Sequence, residues 1–135
     1  MTMKILVHID ILDGAVTALS RELVTTAKQL AGSGGQVDLL TIAPDATSAV
    51  GFSADRVLHV AASEHYNPSD HAEALEFAIR TTSPDLVLLG YATTGLDLGP
   101  VVAMRLDLPL VSYCTCIEAA GGTFGTTSQI FGGKL

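Results

Sequence analysis

The stretch "GYATTG", Gly90 to Gly95, has the glycine spacing that opens a phosphate-binding loop. Such loops aim backbone N–H groups and hydroxyls at a phosphate from a helix N-terminus, and a lysine meets the terminal charge. Here Leu96 and Asp97 stand where Lys and Ser/Thr belong. Asp97 repels a phosphate, so a Walker-type loop is excluded. A gentler site stays open, in which Gly90, Thr93, Thr94 and Gly95 offer amides and hydroxyls to a nucleotide. Equally, Thr93 or Thr94 caps the helix and the glycines permit a tight turn. Asp10, which ends "HID", can bind a ribose or a water, or it can cap the adjoining loop.

The other groups capable of chemistry point elsewhere. "GSGG", Gly32 to Gly35, follows a helical run and precedes a strand-like one. Phosphate sites in parallel sheets form in the opposite order, so this is a linking turn. Cys114 and Cys116 can be soft metal ligands or strand packing. Structural zinc wants four ligands, and no second cysteine pair exists. Neighbours this close rarely bridge to each other, which suggests a reducing, cytoplasmic setting. His8 and His59 sit in strand-like runs, and His65 and His71 flank Tyr66 near a helix start. No metal set is expected from them. Ser20 and Ser112 have no nucleophile elbow around them, so no catalytic triad can be nominated.

These residues must be positioned by regular elements. "MKILVHI" is a continuous apolar run of strand length, which suits a strand buried on both faces. "DILDG" is a turn. In the next segment Leu19, Leu23, Ala27 and Leu30 recur at helical spacing, and Gly32 ends the helix. "QVDLLTIA" and "DRVLHVA" are strands, and "PDATSAVGFSA" between them holds at most one or two helical turns. "PSDHAEALEFAIRTTS" is a helix with Pro68 and acidic residues at its start and Arg80 near its end. "PDLVLLG" is a fourth strand, followed by a helix in "TTGLDLGPVVAMRL" and, after Pro109, a strand in "LVSYCTCIEA". Two short β pieces, "TFGTT" and "SQIFGG", close the chain. The alternation predicts an α/β fold: an open, mainly parallel, doubly wound sheet with helices on both faces and short antiparallel additions at the C-terminal end.

The chain has 135 residues, 48% of them hydrophobic and 16% charged, with a net charge of −7. That size and composition suit one domain, 1–135, with a real core. The negative surface disfavours nucleic acid and anionic membranes as partners. No apolar run reaches the ~20 residues that span a bilayer, and the start lacks the features of a signal peptide.

The stretch from Ser83 to Ser112 resembles the N-terminal domain of the electron-transfer flavoprotein alpha subunit. The family's P-D-L-V-L-L-G strand matches Pro84 to Gly90, and its T-x-x-G-x-D-L-x-P turn falls on Thr94, Gly95, Asp97, Leu98 and Pro100. Ala103, Arg105 and Leu106 match its helix end, and Pro109 to Ser112 its P-L-V-S strand. "SREL" at Ser20, "ADRVLHVA" at Ala54 and "IFGGKL" at Ile130 extend the resemblance along nearly the whole chain. It implies an electron-carrier scaffold, not an enzyme. FAD would belong to a second domain, expected to be absent here, and the partners would be a beta-like subunit or a separate FAD domain. Three positions depart from the family: Val101, Tyr113 and Ser128 replace its usual Arg, Asp and Arg. Together they suggest a polar cluster exchanged for neutral packing.

A competing function is a stand-alone binder of AMP or ATP, since the fold class is similar to adenine-nucleotide alpha-hydrolases and universal-stress proteins. Asp10, Gly90, Thr93, Thr94 and Gly95 would then line the crevice. An interaction module, as a homodimer, is a third arrangement the sequence admits.

Overall fold

The computed structural model describes residues 3–45, 51–63, 65–90, 93–120 and 123–128, with the backbone alone for 93–96 and 120. The first apolar run forms strand β1 (Lys4–Ile9). A short hairpin of β2 (Ile11–Leu12) and β3 (Ala15–Val16) follows, and then helix α1 (Ala18–Ala31). Next come β4 (Gln36–Ala43), β5 (Arg56–Ala61), α2 (Pro68–Thr82), β6 (Leu86–Leu88) and α3 (Thr93–Leu106). The described chain ends with β7 (Cys114–Ala120) and β8 (Thr123–Ser128).

Strands β5, β4, β1 and β6 form, in that order, one four-stranded sheet, and every pairing in it is parallel. Parallel strands need both faces covered. Alternate residues of β1 serve the two faces. Ile5, Val7 and Ile9 pack with Val24 and Ala27 of α1. Leu6 packs on the other face with Leu75 and Ala78 of α2 and Leu98 and Val102 of α3. The result is the expected doubly wound α/β sheet with helices on both faces.

Local signals set the helix limits. Thr17 Oγ1 accepts the Ser20 N–H at the start of α1, and Gly32 at φ 65° stops it. Asn67 caps α2, with Pro68 in the first turn and Ser83 left-handed at the far end. "GSGG" is the helix-to-strand link predicted. The "DILDG" turn does more than turn. Asp13 and Gly14 both have positive φ, 51° and 77°, as the two-residue turn of a tight hairpin requires, and β2 and β3 pair across it.

The C-terminal part departs from expectation. Residues 108–112 join no strand, so "LVSYCTCIEA" is not a fifth member of the sheet. Tyr113 sits at φ 55°, which breaks the extended run, and only from Cys114 onward does the chain pair, antiparallel, with β8. This hairpin is a separate two-stranded sheet, so the antiparallel additions flank the main sheet without extending it. Ile117 ties the hairpin to the α1-side core. The helical turns considered within "PDATSAVGFSA" and the β piece "SQIFGG" fall wholly or partly outside the described residues.

The expected neutral packing at the departing positions is also corrected. Val101 is 43% exposed, Tyr113 is 54% exposed, and Ser128 is exposed. They face solvent, so these three positions do not form neutral packing within the chain's own core. Among the described residues no helix is long and apolar enough to cross a membrane.

Two stabilities follow and are measurable by urea denaturation. Leu75 is fully buried, and Leu75→Ala should cost about 2–5 kcal/mol. Val101→Arg and Ser128→Arg should each change stability by less than about 0.5 kcal/mol, because surface substitutions leave the core intact.

Candidate functional site

The carboxyl ends of β1 and β4 open into a cleft of about 780 Å³. Ends of parallel strands are where this class of fold holds ligands, because the loops there are free to carry function. Ile9, Ile11, Ile42 and Ala43 give the cleft an apolar wall, and Asp10, Asp13 and Asp45 bring three carboxylates. His65 and Tyr66, in the segment that leads into α2, and His71, in its first turn, close it. No lysine or arginine lines it among the described residues.

Asp10 is held by its backbone. Its N–H donates to Ser20 Oγ at 2.8 Å, and its carbonyl accepts the Thr17 N–H at 3.1 Å. The hairpin turn at Asp13 and Gly14 then swings over the cleft. Ser20, which is 1% exposed, is therefore a structural hydroxyl between loop and helix rather than a nucleophile.

Behind this wall lies an unusual pair of imidazoles. Strand alternation turns His8 to the Leu6 face, toward α2 and α3. It is 2% exposed, and neither ring nitrogen has a hydrogen-bond partner. Burial, with the nearby His71 adding to it, pushes the His8 pKa down to about 4. His71 occupies the first turn of α2, and its Nδ1 is likewise buried and unpartnered. Burial lowers its pKa too, against the opposing charges of Asp10 and Asp70. Both imidazoles are thus neutral near pH 7. Tyr66 meets the His71 ring edge-on, centroids 4.7 Å apart and planes at 75°. Its hydroxyl donates to Asp97 of α3, and burial followed by that carboxylate raises the phenol pKa.

Of the nucleotide-crevice residues expected from sequence, Asp10 alone lines this cleft among those with described side chains. Gly90 is turned to the other face. A Cβ there would come within 2.9 Å of Leu19 Cδ2, so the glycine permits close approach of α1 and is not shaped for a ligand. Thr93, Thr94 and Gly95 are the first three residues of α3, which puts the threonines inside the helix rather than before it. Their side-chain roles lie outside the described residues. Cys114 and Cys116 are exposed and unbridged on the far hairpin. His59 bonds Thr41 through Nδ1 at 2.9 Å, within the sheet.

The grouping of His8, Tyr66, His71 and Asp97 was missed from sequence. Its one signal was an aromatic residue between two histidines at a helix start. The partner histidine on β1 is sixty-odd positions away and becomes a neighbour only through the sheet.

Comparison with known proteins matches residues 5–135 to the electron transfer flavoprotein domain. The chain is similar to the electron transfer flavoprotein subunit alpha of Bacillus subtilis (strain 168), 26% identical across 97% of this chain and 42% of that protein. It is similar to protein FixB of Azorhizobium caulinodans, 31% identical across 90% of this chain and 36% of the relative. It also resembles the electron transfer flavoprotein subunit beta of Syntrophomonas wolfei, 33% identical across 85% of this chain and 43% of that subunit. The chain therefore spans roughly two fifths of the length of these relatives.

The buried imidazole sets a pH dependence. His8 has a pKa of about 4 in the folded chain, against the ordinary imidazole value of 6.5 when unfolded. Its stabilisation is complete above the unfolded value and is lost as pH falls from there toward the folded one. The unfolded chain alone takes the proton in that window, and the loss approaches about 3 kcal/mol. His71 contributes in the same sense. Denaturation midpoints should fall between about pH 7 and pH 4, and His8→Leu should flatten that slope; an unchanged slope in the variant would refute the assignment.

Proposed function

Because the chain belongs to the electron transfer flavoprotein family, whose members are electron carriers rather than enzymes, we propose that it serves as an alpha-type scaffold domain. On this reading residues 1–135 act as one domain that pairs with a beta-type subunit. The flavin is held outside these residues.

The lining of the cleft carries the proposal. A dinucleotide in a sheet of this topology lays its phosphates at the strand ends, against helix N-termini or basic groups. Asp10, Asp13 and Asp45 stand there, with no lysine or arginine among the described lining residues. That environment suits neither the pyrophosphate of FAD nor the phosphates of AMP or ATP. It supports a scaffold over the competing nucleotide binder.

A scaffold also needs surface to bury. Val101, Met104, Leu108, Leu110 and Val111 are each at least 43% exposed and follow one another along α3 and the segment after it. Adjacent exposed apolar residues in such number mark a contact surface. Relatives named as the alpha and the beta subunit both resemble this chain, which supports two chains of one fold meeting in an assembly. The unbridged Cys114 and Cys116 are in keeping with work in the cytoplasm.

Native mass spectrometry of the chain mixed with the beta-type subunit from the same source tests the pairing. The expected result is a one-to-one complex. Met104, 84% exposed, is the residue to change: Met104→Glu should leave folding intact and weaken the complex. Two separate masses at every mixing ratio would defeat the proposal.

A further inference from the structure

The exposed face of α3 carries its charges in a definite order. Asp97, Val101, Met104 and Leu108 are spaced four, three and four residues apart, which keeps them on one side of the helix and its exit. All four are exposed, Met104 at 84%. Leu98 and Val102, on the inner side, are buried in the core. Arg105 is exposed as well and adds a positive charge next to Met104. The face is thus acidic early, apolar in the middle and basic late. Asp97 and Arg105 stand about 12 Å apart along the axis, at the rise of an α-helix.

The helix dipole accounts for a base in the last turn. It does not account for Asp97, which lies past the first turn. Both charges have capacity left within the chain. Asp97 accepts the Tyr66 hydroxyl, and a carboxylate has further acceptor sites. Arg105 reaches Glu76 at 3.7 Å, and a guanidinium has further donors.

Charges in that order are complementary to themselves when reversed. Two α3 helices that cross antiparallel, centred on Val101 and Met104, bring Asp97 of each copy within a turn of Arg105 of the other. Two-fold symmetry forms both pairs at once. At the centre each side chain meets its own kind, and the groups there are uncharged; Met104 adapts to the shape it meets. A parallel crossing would set Asp97 against Asp97 and Arg105 against Arg105. The charge order therefore selects a second copy, in one orientation.

We propose that, without a beta-type subunit, α3 pairs antiparallel with α3 of a second copy. The dimer is isologous, held by an apolar seam at Val101 and Met104 and by two ion pairs between Asp97 and Arg105. The inference rests on the scaffold reading, in which this strip is a contact surface, and it makes the beta-type subunit a competitor for the strip.

Sedimentation equilibrium of the chain alone, over a concentration series, tests it. Salt of about 0.15 M screens the net repulsion between two acidic copies while leaving contacting pairs in place. A reversible dimer is expected. Met104→Glu should weaken it about tenfold or more, because it sets two like charges in an apolar seam. Asp97→Arg and Arg105→Asp should each be monomeric where the native chain is dimeric. Their one-to-one mixture should give a heterodimer, since each variant supplies the charge that the other lacks. Circular dichroism checks folding, and if Asp97→Arg does not fold, Val101→Arg replaces it and should be monomeric. A native chain that stays monomeric throughout, a dimer indifferent to these substitutions, or a mixture of the two folded charge variants without heterodimer would overturn the inference. A monomeric chain that still binds the beta-type subunit would leave the scaffold reading standing, and a dimer of the expected kind that binds no such subunit would defeat that reading alone.

Discussion

Strand β1 lies between β4 and β6 and is covered on both faces, and the rest of the molecule is arranged to allow that. From Ile5 to Ile9 each residue is at most 2% exposed. A parallel strand so placed leaves no side chain for water. Helix α1 must close one face while α2 and α3 close the other, and the two core clusters divide accordingly. The constraint extends to polar groups. His8 has to be accommodated on the α2–α3 face, where burial holds it neutral and unpartnered beside His71. Gly90 obeys the same demand, since any side chain there would strike Leu19 of the closing helix.

The sheet was legible because its signals are local and strong. Unbroken apolar runs gave the buried strands, and Thr17, Gly32, Asn67 and Pro68 marked helix limits by their own hydrogen bonds and dihedral preferences. What escaped depended on longer-range geometry or on a single dihedral. "LVSYCTC" has strand composition throughout, but Tyr113 in the left-handed region divides it, and composition carries no sign of that turn. The site was legible only through Asp10. Glycine and threonine after β6 pointed toward a phosphate crevice. The described cleft instead lies on the β4 side of β1, where residues from widely separated segments converge.

Charge links the fold to its use. A net charge of −7 is spread over the chain, and three of its carboxylates gather where related topologies would receive phosphates. Among the described residues the cleft at the ends of β1 and β4 is thus turned against anions, while the exposed apolar residues lie along α3 and the segment beyond. On the proposed reading the domain gives that surface to an assembly and leaves the dinucleotide to be held elsewhere. That division of labour accords with membership of a family of electron carriers.

The claim most exposed to test is that these residues do not hold the flavin. Titration of FAD with the purified chain, read by flavin fluorescence and by the visible absorbance of the protein after desalting, addresses it directly. The account predicts fluorescence that stays at the value of free FAD at every ratio, with no flavin band retained. Saturable quenching at one flavin per chain, with the band surviving desalting, would contradict it and would require the phosphates to find a site that the carboxylate-lined cleft does not provide.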